Sequence, residues 1–141
     1  MCRMSDKLLT KNFNFIGFGV LNVTMVGSGA ELALQPFLVS KTKNGMYEAV
    51  ALNFGTVALG LTEDDAIRNV SLSIFTYGVS FVQANAPLET ISRAKYMADF
   101  FAEYARLSMR HSKTVQKILA FSHQNETTGS YTASGYYYQA A

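Results

Sequence analysis

The sequence predicts an α+β fold: a small antiparallel sheet of three to four strands with a long helix packed across it, then two further helices and a polar, Tyr-rich tail. Three observations carry this expectation. Up to about residue 59 the chain is rich in β-formers punctuated by glycine; Asn44-Gly45 sits between two apolar runs; and Thr62 opens a long apolar helical segment.

The first segment, Phe13 to Val26, mixes Phe13, Phe15, Val20, Val23 and Val26 with Gly17, Gly19, Gly27 and Gly29. Glycines at that density penalise a helix, whereas aromatic and β-branched residues favour a twisted strand or hairpin. Pro36 then opens Phe37 to Lys43, Asn44-Gly45 is the strongest two-residue hairpin signal, and Met46 to Asn53 returns as its partner strand. Phe54-Gly55 turns the chain into a short strand, Thr56 to Leu59.

Thr62 stands as an N-cap with Asp65 three residues on, and Glu63 and Asp64 place negative charge at the positive end of the helix dipole. Ile67, Val70, Ile74, Tyr77 and Phe81 line one face, while Leu72, Phe75, Val79 and Val82 make the other side apolar as well. A helix apolar on two sides is buried from two directions, one by the sheet and the other by a second layer or a second subunit. Leu72, Phe75, Val79 and Val82 are therefore candidate protein-interface residues.

Asn85-Ala86-Pro87 ends this helix, and Pro87 can start the next. Met97, Phe100, Phe101, Tyr104 and Leu107 recur at helical spacing in that second helix. Val115, Ile118 and Leu119 predict a third, from about Ser112 to Phe121. The domain thus runs over 1–121, with strands at about 13–59 and helices at about 63–121. Residues 122–141 read as a tail, disordered or edge-pairing, in which Tyr136, Tyr137 and Tyr138 form a second candidate interface.

Composition bounds the partners. A chain of 141 residues suits one domain that needs neither disulfide nor metal to build a core. Charged residues make up 16% against 49% apolar, where roughly 25% charged is usual. So little charge leaves apolar surface to hide, which predicts a homo-oligomer or an obligate complex. The net charge of +2 is too small to signal nucleic acid or a membrane from bulk electrostatics. Cys2 is the only cysteine, so an intramolecular disulfide is excluded and a reducing compartment is favoured. Arg3, Lys7 and Lys11 ahead of an apolar stretch imitate a secretory signal, but Asn14, Asn22 and Thr24 interrupt it, and Glu31 and Pro36 end it short of a span. A cytoplasmic protein without membrane association is the expectation.

Residues 37–70 resemble the N-terminal domain of the HicB-type antitoxin family. The match runs through a hairpin, Gly55, a short strand, Gly60, Thr62, Asp65-Ala66-Ile67 and Asn69. Phe54 and Thr56 depart from the family's turn proline and cysteine, and no DNA-binding domain of that family follows Pro87. The resemblance implies a small sheet with a helix across it and an antitoxin or inhibitor that occludes a protein partner. Each matched residue also has a scaffold reading: turn glycines, a helix cap, a small residue at a close approach and an Asn that bonds nearby backbone.

Catalytic constellations are not found. His111 and His123 have no Cys, Asp or Glu at metal-ligand spacing, Cys2 is terminal, and Gly17-Phe18-Gly19 and Gly27-Ser28-Gly29 lack the helix and lysine of a phosphate loop. No enzyme activity and no cofactor are expected. On a continuous helix, Arg106, Arg110, Lys113 and Lys117 would share one face, forming either a solvated surface or a phosphate-binding stripe, with His111, Ser112, Arg93 and Lys95 nearby. The sequence therefore supports two readings: a non-enzymatic binding protein of the antitoxin or inhibitor kind, with nucleic-acid contact through the stripe, or a self-assembling structural subunit.

Overall fold

The computed structural model describes residues 14–83, 98–109, 114–125 and 129–140. Six strands and two helices lie in this range: β1 (Phe15–Met25), β2 (Glu31–Lys41), β3 (Tyr47–Ala51), β4 (Thr56–Gly60), α1 (Glu63–Gln83), α2 (Ala98–Ser108), β5 (Thr114–His123) and β6 (Tyr131–Ala140). The strands form one sheet in the order β4-β3-β2-β1-β6-β5, antiparallel at every pairing. Among the described residues, no helix is long and apolar enough to cross a membrane.

This corrects the expected fold, which had three to four strands and three helices. The segment expected to be a third helix, 112–121, falls largely in β5, and the expected tail supplies the end of β5 and all of β6, paired along its length with β1 on one side and β5 on the other. Val115, Ile118 and Leu119 fit a helical spacing over so short a run, but the segment has cross-strand partners over ten consecutive positions, Thr114 to His123 against Ala140 to Tyr131. As a strand the segment turns Leu119 and Phe121 together into the core beneath α1 and aligns its side chains in pairs with those of β6. The second helix is described only from Ala98; its expected start at Pro87 lies outside the described residues.

Local signals position the N-terminal half as expected. The β2–β3 connection closes at Thr42 and Met46, with Thr42 N donating to Met46 O (2.8 Å) and Gly45 N to Thr42 O (3.1 Å). The loop is therefore Lys43-Asn44-Gly45, three residues rather than two, and Gly45 takes the left-handed conformation such a loop needs at its last position (φ 83°). Thr62 Oγ1 accepts from Asp65 N (3.1 Å) and caps α1. A bulge interrupts β1–β2 between Leu21 and Val23; there Leu34 is forced to φ 55°, and its N–H donates to Asn22 Oδ1 (2.8 Å).

Strand alternation divides the core into two layers. On one face Leu21, Val23, Phe37, Val39, Ala49, Ala51, Tyr131, Ala133 and Tyr137 meet Ala66, Ile67, Val70, Ile74 and Phe75 of α1. On the other, Phe18, Leu38, Val50 and Leu52 meet Phe100 and Leu107 of α2. Phe18 is the centre of that second layer, edge-on to Tyr104 (5.4 Å) and stacked on Tyr138 (5.0 Å). Burying each such ring contributes roughly 1.5–3 kcal/mol, so helices on both faces explain how so apolar a chain hides its side chains.

Candidate functional site

The most polar cluster lies where α1 begins. Tyr137 Oη donates to Glu63 Oε2 (2.6 Å) and Gln139 Nε2 donates to Glu63 Oε1 (2.9 Å). Burial, followed by the hydrogen bond to Glu63 and its negative charge, pushes the Tyr137 phenol far above its ordinary range. It keeps its proton and donates it to Glu63, so the cluster ties β6 to α1. A second buried pair joins Ser71 and Tyr131 (2.8 Å). Ser71 Oγ donates to Arg68 O (2.6 Å), which leaves Tyr131 as donor to Ser71. Burial raises the Tyr131 phenol, while Ser71 and the Arg68 charge act in the opposite direction. Phe75, Tyr131 and His123 stack in succession at 4.7 and 5.3 Å. Among the described residues no three of His, Cys, Asp and Glu gather within reach of one metal ion.

Three of the residues expected to form an interface on α1 pack wholly or partly on the chain's own core. Phe75 is buried against Tyr131, and Leu72 and Val79 are half-buried against the same core. The side chain of Val82 lies outside the described residues. Strand β6 widens the one sheet face on which α1 packs. Of the three tyrosines, Tyr137 is wholly buried and Tyr138 stacks on Phe18, while Tyr136 is 45% exposed.

The expected basic stripe does not keep its helical geometry. Arg106 is on α2, where its guanidinium Nε donates to Glu103 Oε1 (3.1 Å) and forms an ion pair with that carboxylate. Lys117 is on β5, so the step that would align it with Arg106 on one helix does not exist. Arg110, His111, Ser112 and Lys113, with Arg93 and Lys95, lie outside the described residues.

What the structure brings together instead is an edge and a groove. Of the two outer strands, β4 has five residues and β5 has ten. Between α1 and β5 runs an open groove of about 350 Å³, with Asp64, Ile67 and Arg68 on the helix side and residues 117–121 on the strand side. The Arg68 guanidinium lies over the Phe121 ring (4.8 Å), and Lys117 is exposed at the groove. On the opposite face of the same strands, Ile118 is 79% exposed beside its cross-strand partner Tyr136. No family model, curated protein or solved structure matches this chain.

Sequence reasoning missed Ile118 and Arg68 as surface features. The available signal was the alternation Gln116, Ile118, Ala120 against Lys117, Leu119, Phe121 on a segment read with helical spacing.

Proposed function

We propose that this protein is a non-catalytic binding module that receives an extended segment of another polypeptide along the outer edge of β5. The observation that carries the reading is the edge itself: ten residues, an uninterrupted register against β6, and no partner strand on its other side among the described residues. Folded proteins usually blunt such an edge with short length, proline, bulges or several charges. Here the strand Thr-Val-Gln-Lys-Ile-Leu-Ala-Phe-Ser-His has one lysine, one terminal histidine and no proline. An edge strand beside a helix-walled groove is the arrangement used in strand addition, where the backbone ladder supplies affinity and alternate side chains enter the groove.

The role is coarser than the antitoxin function implied by the resemblance of residues 37–70. Those residues work here as scaffold: Asn69 Nδ2 donates to Leu59 O (2.7 Å), Thr62 caps α1, and Gly60 lies where any Cβ would strike the Ala66 backbone. The test replaces Ile118 and Ala120, both exposed, with lysine. Polypeptides captured by the immobilised wild-type chain should be lost with the I118K/A120K variant, with its thermal midpoint unchanged. Equal capture by both chains would remove β5 as the binding edge.

A further inference from the structure

Resting on that reading of the β5 edge, we infer that its occupant is a second copy of this chain, paired antiparallel β5 to β5 about a two-fold axis at Ile118, so that two six-stranded sheets become one of twelve strands.

Symmetry narrows the register. An antiparallel pairing of identical strands places the axis perpendicular to the sheet, so each residue faces a position on the same side of the sheet and one residue faces its own copy. For a strand running from Thr114 to His123, overlap is greatest when that residue is Ile118 or Leu119. Leu119 is already buried beneath α1, and an axis there would oppose Lys117 to Phe121, whose ring already carries the Arg68 guanidinium. An axis at Ile118 opposes Ile118 to Ile118, Lys117 to Leu119 and Gln116 to Ala120. That register sets the exposed Ile118 side chain against itself, keeps the two lysines from lying opposite each other, and continues the apolar surface into Tyr136 on each copy.

Charge and composition favour the second copy over an unrelated chain. A partner selected by the groove would be expected to answer Arg68 and Lys117 with acidic side chains, yet the groove already carries Asp64 of its own and Arg68 is engaged with Phe121. The need to cover apolar surface is intrinsic to a chain with 16% charged residues, and self-pairing meets it with no other component.

Sedimentation and cysteine cross-linking of the full chain, with Cys2 replaced by serine in the cross-linking variants, test the inference. Wild type at tens of micromolar should sediment at twice the 15.5 kDa chain mass, and I118K/A120K should weaken self-association by at least about tenfold. The I118C variant should form a disulfide dimer on mild oxidation, because opposed Cα atoms lie about 4.5–5.5 Å apart. The A120C variant should not, since its two copies are offset by four residues, about 13 Å along the strands. Should the lysine variant fail to fold, the cysteine pair still decides the question. A wild-type monomer at all concentrations, a dimer untouched by I118K/A120K, or equal cross-linking at 118 and 120 would each overturn it. A monomer that nevertheless captures another polypeptide through β5 would refute the self-pairing and leave the binding module in place.

Discussion

Replacing Tyr137 with alanine is expected to lower the free energy of unfolding by about 3–5 kcal/mol, in the range of large aromatic truncations in a core. The ring is wholly buried, stacks on Phe37 (5.9 Å), and fills the space over Gly17, where any Cβ would meet it. Its hydroxyl also joins the C-terminal strand to the first turn of α1 through Glu63. Tyr137→Phe separates the two contributions: it keeps the ring and should cost about 1.5–3 kcal/mol, the range for a hydrogen bond to a charged group. The same variant should change the alkaline response. Because folding raises the Tyr137 pKa above its ordinary value of 10.0, its contribution is fully present below about pH 10 and is lost as pH rises beyond that, by up to about 1.4 kcal/mol per pH unit. Tyr104 and Tyr131 shift in the same direction, so the difference between wild type and Tyr137→Phe isolates one proton. Urea denaturation at pH 8 and pH 11 checks this; an equal loss of stability in both proteins would contradict it.

Gly135→Ala should destabilise the fold by about 1–3 kcal/mol although it adds a single methyl group. Gly135 is in β6 opposite Leu21 of β1 and Leu119 of β5. A Cβ there would run into the carbonyl oxygen of Val20, with the Leu21 Cα close behind. These are backbone atoms in the middle of the sheet, so relief requires moving β1, which also carries the β2 pairing. The neighbouring exposed position supplies the control: Ser134→Ala should change stability by less than about 0.5 kcal/mol. Thermal or urea unfolding of the two variants distinguishes a local backbone constraint from a general sensitivity of β6.

The N-terminal half was legible because its signals are local. Gly45 after Asn44 and Thr62 before Glu63-Asp64-Asp65 each specify backbone geometry within four residues, and the hairpin and the helix start follow from them. The C-terminal half was not, because β6, on which β5 pairs, is placed by β1, more than 100 residues away. Tyr131 and Ala133 are paired with Met25 and Val23 of β1, and the alternation of Tyr131, Ala133 and Tyr137 with Thr132, Ser134 and Tyr136 is masked by the polar composition around it. The apolar residues on both sides of α1 suggested burial from two directions, whereas α1 packs on one face of a sheet that β6, taken for a tail, widens. The misreading carried over to the site: a helix through Lys117 suggested a basic stripe, whereas a strand through Lys117 creates a sheet edge.

The central claim is that the outer edge of β5 is an association surface, and amide hydrogen exchange along that strand addresses it most directly. In an antiparallel edge strand alternate amides point away from β6. The account predicts that these outward amides between Thr114 and His123 exchange quickly in dilute protein and become protected as concentration rises into the tens of micromolar or when a bound polypeptide is present, while those facing β6 stay protected throughout. Fast exchange of the outward amides at every concentration and in every complex would contradict it.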